Sequence, residues 1–357
     1  MTDNIRYIGV DDTDIDLFEG QYIVPEGISY NSFLILDEKV AVMDTVDERK
    51  ADEWLEKLHN ALEGRTPDYL VVQHLEPDHA GCIGLFHAKY PAATLVMTAK
   101  AAQMLPNFYE GFNGEIITVK EGDHLALGKH ELTYVLAPMV HWPEVMVSYE
   151  SSEKVLFAAD AFGKFGALSL TENVDWACEA RRYYFNICGK YGVPVCNLLA
   201  KAATLDIQTI CPLHGPILRE NLGYYLNLYK IWGSYGVEAE GVFIAYASIH
   251  GGTAKAAQRL AEILKENGAP KVSISDLSRD DVAEAVEDAF KYGKIILAAA
   301  SYDAGVFTPM HNFLHTLQMK DWQKRRVGIL ENGSWAPSAA KTIKGMLSTM
   351  KEIEIVE

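Results

Sequence analysis

The densest chemistry in the chain is a run of six residues, His74-Leu75-Glu76-Pro77-Asp78-His79, directly after the apolar segment YLVVQ. Its two imidazoles and two carboxylates can each offer a lone pair to a metal ion. A loop at the C-terminal end of a strand can turn several such side chains toward one point. Three further donors stand at the ends of later apolar runs: His141 after TYVLAPMV, Asp160 closing VLFAAD, and His214 in TICPLHGP. Each alone reads as a cap, a turn residue or an ordinary histidine. With the six-residue run they complete a metal-binding constellation. His87 and His124 lie nearby in sequence and read as structural or surface residues.

A second chemistry sits in the last third of the chain. The segment FIAYAS runs into Ser248-Ile249-His250-Gly251-Gly252-Thr253, and a helical pattern follows. A glycine-rich turn at a helix N-terminus presents backbone N–H groups and the positive end of the helix dipole to a phosphate. There is no GK[ST], so this is not a P-loop, and no GxGxxG, so it is not a dinucleotide fingerprint. Two more loops follow later strands and therefore share the same sheet edge: Ala300-Ser301-Tyr302-Asp303-Ala304-Gly305 and Glu331-Asn332-Gly333-Ser334-Trp335-Ala336.

These loops need two kinds of scaffold. Up to about residue 215 the chain is a series of short β-branched runs, among them 32–36, 40–44, 68–73, 93–97, 115–119, 131–138, 145–149 and 154–160. Helical stretches at 48–62 and around 175–203 interrupt them, which predicts two packed sheets with helices outside. After about residue 240 strands and helices alternate strictly: strands 241–248, 271–278, 294–301, 325–330 and 352–356, with helices 253–268, 281–290, 308–319 and 336–350 between them. That rhythm predicts right-handed crossovers and a parallel sheet. The expected boundary lies between 233 and 241, giving domains of 1–238 and 239–357.

Composition bounds the function. The chain has 357 residues, two domains' worth at roughly 150 residues each. It is 49% hydrophobic and 23% charged, which excludes a mainly disordered chain. The net charge of −17 argues against a nucleic-acid partner. No apolar run approaches the roughly 20 residues of a membrane span, and the acidic N-terminus has no signal-peptide pattern. Cys82, Cys178, Cys188, Cys196 and Cys211 are scattered with no CxxC, so a reducing cytoplasm is the expected setting.

The histidine and carboxylate pattern resembles the metallo-β-lactamase fold, whose motif is HxHxDH with downstream His, Asp and His. Glu76 stands where the hydrolases carry their second histidine, and that change resembles the flavodiiron proteins, whose motif is HxExDH. HLEPDH, HWPE, Asp160, PLHGP and the alternating second half extend the resemblance over essentially the whole chain. It implies an α/β and α+β protein: an N-terminal metallo-β-lactamase-like αββα sandwich and a C-terminal flavodoxin-like doubly wound parallel sheet. It implies two iron ions with an oxo or hydroxo bridge, one held by His74, Glu76 and His141, the other by Asp78, His79 and His214, with Asp160 between them. His79 is the member that swings away from the metal in some relatives. Tyr191 matches a position where the family often places an aromatic facing the site.

Four neutral imidazoles and three carboxylates sum to minus three, which two ferrous ions bring close to neutral. The carboxylates are hard ligands and shift preference away from zinc. In the second half the resemblance implies FMN. Ser248, Ile249, His250, Gly251, Gly252 and Thr253 would take its phosphate. Ser301, Tyr302, Asp303, Ala304 and Gly305, with Asn332, Gly333, Ser334, Trp335 and Ala336, would line its ring. Glu331 and Pro337 depart from glycines common there. A flavodoxin-like domain normally adds one more helix after the last strand, and none follows EIEIV.

The implied activity is reduction of dioxygen to water, of nitric oxide to nitrous oxide, or both. A separate donor, rubredoxin or reduced F420, would feed FMN. The assembly implied is a head-to-tail homodimer or a dimer of dimers. The competing readings are a zinc hydrolase with a flavodoxin-like appendage, and an FMN electron carrier with an inactive metal site.

Overall fold

A computed structural model describes residues 2–171 and 175–356. By packing, the chain forms two compact units, Met1–Ala180 with Val193–Leu226, and Arg181–Gly192 with Asn227–Glu357. That grouping differs from a cut at 238/239. Within the second unit Arg181 is held by Glu238 (2.7 Å) and Glu287 (3.2 Å), and Phe185 stacks on Phe290 at 4.0 Å.

The first unit is built on two sheets. In one, the strands run in the order Ile5–Tyr7, Phe33–Leu36, Val40–Met43, Tyr69–Val71, Thr94–Thr98, Ile116–Val119. The first two joins are antiparallel and the last three parallel. In the other, His124–Ala126, Glu131–Leu136, Met146–Glu150 and Val155–Phe157 pair antiparallel in sequence, and Thr209–Cys211 joins Val155–Phe157 in parallel.

Side chains alternate between strand faces. Phe33, Ile35, Ala41, Met43, Val71 and Val96 on one sheet meet Leu132, Tyr134, Met146, Phe157 and Cys211 on the other in one buried cluster. Leu34, Val42 and Leu70, on the opposite face of the first sheet, are equally buried. A sheet buried on both faces reads as an unbroken apolar run, as these strands do. The helix Ala51–Ala61 buries Ala51, Trp54 and Leu58, and Trp54 meets Phe86 of the helix Ile83–Lys89. This is the expected sandwich. The N-terminal strands Ile5–Tyr7, Val10–Asp12, Leu17–Phe18, Tyr22–Ile23 and Ile28–Tyr30 went unanticipated, being too short for a period of two to show.

The second unit carries a sheet in the order Val272–Asp276, Ala239–Ala247, Tyr292–Tyr302, Arg325–Asn332, Ile353–Val356, all parallel. Numbered along the chain that order is 2-1-3-4-5, the flavodoxin-like winding. Ala257 and Ala261 of the helix Gly252–Glu266 pack on Val242, Ile244, Tyr246 and Ala298, so small helix residues let the helix lie close to the sheet.

Candidate functional site

Strand direction decides where the donors emerge. Val155–Phe157 and Thr209–Cys211 are parallel, so Asp160 and His214 leave the second sheet at the same edge. Two antiparallel steps make Glu131–Leu136 run in that direction too, which brings His141 to the same edge. Leu213 N–H donates to Ala159 O (2.9 Å) and ties the His214 loop to the Asp160 turn. In the other sheet Val40–Met43 and Tyr69–Val71 are parallel, and Asp44 and His74 follow their ends. Asp44 accepts hydrogen bonds from Gln73 N–H (2.7 Å) and Gln73 Nε2 (2.8 Å), which fixes the chain at the residue before His74. Glu76 then precedes a single helical turn, Pro77–Ala80, with proline at its first position.

All seven expected donors come together, in two sets: His74, Glu76, His141 and Asp160, and Asp78, His79 and His214. The Asp160 carboxylate stands between them. Its Oδ2 is 3.2 Å from His74 Nε2 and 3.3 Å from His141 Nε2. Its Oδ1 is 3.1 Å from His79 Nε2 and 3.7 Å from His214 Nε2. Glu76 Oε2 lies 3.2 Å from His74 Nε2 and 3.0 Å from His141 Nε2, and Asp78 Oδ2 lies 3.2 Å from both His79 Nε2 and His214 Nε2.

The tautomers give these contacts their meaning. His74 Nδ1 faces Glu144 Oε1 at 2.8 Å, and His214 Nδ1 faces the Ser29 carbonyl at 2.7 Å. A carbonyl and a carboxylate accept, so Nδ1 carries the proton and a neutral ring leaves a lone pair on Nε2. Nitrogen and oxygen lone pairs then crowd within 3.2–3.7 Å, a repulsive arrangement unless a metal cation or a proton sits among them. Both oxygens of Asp78 and of Asp160, and both ring nitrogens of His79, are buried without a hydrogen bond of acceptable geometry. Orphaned donors aimed at common points, with three carboxylates among them, fit a pair of divalent cations.

Without metal, protons take up part of the same excess of negative charge. Burial lifts Asp78 to about 7 and Asp44 to about 6. Burial would also lift Asp160, but His74 and His79 hold it well below the usual carboxylate range. Burial pulls His74 and His141 down, yet carboxylates prevail in both. Asp160 and Glu144 keep His74 well above its ordinary value, and Asp160 and Glu76 bring His141 to about 9. At His214 burial wins and its pKa is lowered.

Several residues that act on the site were not assigned a role from sequence: Glu144, Asp44, Ser29, Phe18 and Trp142. Trp142 meets His74 edge-on at 5.1 Å, and Phe18 meets His214 at 5.4 Å. Glu144 was visible in HWPE, three residues after His141. Tyr191 lies half-buried in the turn Gly189–Tyr191, belongs to the second unit and is not among the clustered side chains. His87 faces Asn113 (3.3 Å) and His124 faces Thr133 (2.9 Å), outside both sets.

In the second unit the loops Ser248–Thr253, Ser301–Gly305 and Asn332–Ala336 leave adjacent parallel strands at their C-terminal ends, beside the switch between the first and third strands. Asn332 Nδ2 reaches Thr253 Oγ1 at 3.4 Å, and Ser301 Oγ accepts from Ser338 N–H at 2.8 Å. Gly251 precedes the helix in a left-handed conformation (φ +84°) with no atom within 4 Å of where a Cβ would stand. The residue preceding that helix makes no side-chain hydrogen bond to its first N–H groups. Trp335 is 91% exposed and Tyr302 48%. An open helix N-terminus beside two exposed aromatic rings fits a phosphate joined to a flat ring.

The fold and site define a class: a dinuclear-metal sandwich of the metallo-β-lactamase type in one chain with a flavodoxin-like unit. Residues 28–215, more than half of the chain, match the family described as ODP family beta lactamase. The chain is 35% identical over 305 residues to a nitric oxide reductase of Moorella thermoacetica, covering 81% of this chain and 75% of that one. Its structure is similar to rubredoxin oxygen:oxidoreductase from Desulfovibrio gigas, with a TM-score of 0.92 and 25% identity over 99% of this chain and 90% of that one. The flavodiiron protein from Giardia intestinalis shares the fold with a TM-score of 0.92 at 22% identity, over the same shares of the two chains. The chain belongs to the flavodiiron protein family.

Proposed function

We infer that this protein is an oxidoreductase of the flavodiiron type, reducing dioxygen to water, nitric oxide to nitrous oxide, or both, with electrons passed through FMN. The observation that carries the reading is the Asp160 carboxylate, with one oxygen facing each set of donors. His74, Glu76 and His141 would hold one iron and Asp78, His79 and His214 the other, with the Asp160 carboxylate available to both. When bound, the irons would supply electrons to a diatomic gas, and FMN would supply a two-electron reserve.

The chain's own residues do the rest. Glu144 and the Ser29 carbonyl hold His74 and His214 in the tautomer that turns Nε2 toward the metal. Phe18, Tyr30 and Trp142 pack against the imidazoles and keep bulk water from them. The loops 248–253, 301–305 and 332–336 hold FMN, in a flavodoxin-like domain that begins near residue 239. Three carboxylates in the donor set count against a zinc hydrolase.

Electrons come from a separate rubredoxin-type carrier or from reduced F420. Two copies assemble head to tail, alone or as a dimer of dimers, so that FMN of one serves the irons of the other. The protein works in the cytoplasm. Among the described residues no helix is long and apolar enough to cross a membrane. Metal analysis and a visible spectrum of the purified protein, followed by gas uptake with a reduced donor, test the reading. Iron and FMN with gas consumption are expected. Zinc with hydrolase activity, or FMN without iron, would overturn it.

A further inference from the structure

His214 stands on a loop rather than on a strand or helix. The strand Thr209–Cys211 ends just before it, and Leu218 returns to Ile210 through two backbone hydrogen bonds (2.8 and 2.9 Å), which closes the loop on itself. Backbone polar groups in a buried loop need partners. Here they come from residues 29–32, which lead into the strand Phe33–Leu36 of the other sheet.

Asn31 takes three of the loop's carbonyls. Its backbone N–H donates to Leu213 O (2.8 Å), and its side-chain Nδ2 donates to both Pro212 O and Gly215 O (2.8 Å each). Two carbonyl oxygens at Nδ2 settle the orientation of the amide, because only its NH2 end can serve them. Tyr7 O–H donates to the remaining atom, Oδ1 (3.1 Å), and the whole side chain is buried. Ser29 adds its hydroxyl, which accepts from Gly215 N–H (2.7 Å), to the carbonyl that faces His214 Nδ1. The histidine is thus bracketed on both sides in the chain. An alkyl group in place of the amide would fill the space but leave two buried carbonyls without donors.

The same segment reaches the other donor set. Ser32 Oγ donates to Asp44 O (2.8 Å), and the Asp44 carboxylate accepts from Gln73, the residue before His74. We propose that Asn31 is a positioning residue for the cation held by Asp78, His79 and His214. By gripping the carbonyls before and after His214 it sets Nε2 at its spacing from Asp78 Oδ2 (3.2 Å) and Asp160 Oδ1 (3.7 Å). Residues 29–32 then act as one spacer between the two donor sets. This inference rests on the reading of the site as a two-iron centre.

The test is anaerobic titration of ferrous iron into the metal-free, FMN-bearing full chain, read for each of the two equivalents. Wild type, Asn31→Ala, His214→Ala and the double variant are compared. Asn31→Ala is expected to weaken one equivalent about 10- to 100-fold and to leave the other unchanged. Added to His214→Ala it costs nothing more, since a residue that acts through His214 then has nothing left to position. Tyr7→Phe removes only the hydrogen bond behind the amide, gives a smaller loss on the same equivalent, and decides by the same criterion where Asn31→Ala does not fold. Wild-type binding of both equivalents would overturn the proposal. Equal weakening of both, or an additive loss in the double variant, would overturn it too and mark Asn31 as a general packing residue. A wild-type protein that takes up no iron, or one ion only, would defeat the underlying reading of the centre instead.

Discussion

Glu144→Ala is the sharpest perturbation of the metal centre that leaves every proposed ligand in place. The Glu144 carboxylate is buried, and its Oε1 accepts from His74 Nδ1–H (2.8 Å) and Leu75 N–H (3.0 Å). Burial would raise its pKa, but the His74 contact holds it below the ordinary glutamate value. Its backbone position is secured separately, since Thr98 Oγ1 donates to Glu144 O (2.9 Å). Truncation thus removes the acceptor without moving the chain. His74 loses the partner that fixes its ring and its tautomer, and two buried donors are left unpaired.

Loss of a carboxylate behind a metal-bound histidine costs about 10- to 100-fold in affinity, or about 1.4 to 2.8 kcal/mol. The unpaired donors cost a further ~1–3 kcal/mol each in the metal-free fold, less where water enters. Anaerobic competition for ferrous iron against a coloured chelator, with melting of the metal-free protein alongside, reads both effects. Glu144→Gln keeps a carbonyl acceptor and is expected to stay within about tenfold of wild type. Wild-type iron affinity and melting in Glu144→Ala would refute the orienting role.

Three further outcomes are expected. In the metal-free protein Asp44 (about 6), Asp78 (about 7) and His141 (about 9) all bind protons more tightly folded than unfolded, so their contribution to stability falls as pH rises from about 4 to 9. Iron must displace the protons on Asp78 and His141, so its affinity rises as pH rises through about 7 and about 9; a flat profile in both measurements would count against these shifts. Trp335→Ala is expected to leave melting of the FMN-free protein nearly unchanged, because the ring is 91% exposed, while weakening FMN binding; equal FMN affinity by fluorescence titration would remove Trp335 from the ring site. Mixing Asp160→Ala with a variant altered at 248–253 is expected to recover gas reduction after subunit exchange, since a heterodimer pairs one intact flavin with one intact iron site across the interface. No recovery, with exchange verified by mass, would favour transfer within one subunit.

The linear order of residues already held much of this protein. HLEPDH after an apolar strand announces metal chemistry because four donors within six residues at a strand end have few other uses. The unbroken apolar runs before residue 215 and the strict alternation after 240 predict a double-sided sandwich and a parallel sheet because burial on both faces and helical crossovers each leave their own period. What stayed hidden were contacts between residues far apart in sequence. Glu144 lies 70 residues from His74, and Ser29 lies 185 residues from His214. No periodicity links such pairs. The N-terminal hairpin was equally illegible, because strands of two or three residues have no measurable period, and only the packed fold sets Phe18 against His214. Residue types name the candidate ligands, since chemistry is local. Which nitrogen of His74 and of His214 faces the other donors, and which oxygen of Asp160 faces which set, is decided by strand direction and hydrogen-bond partners that exist only once the two sheets have packed.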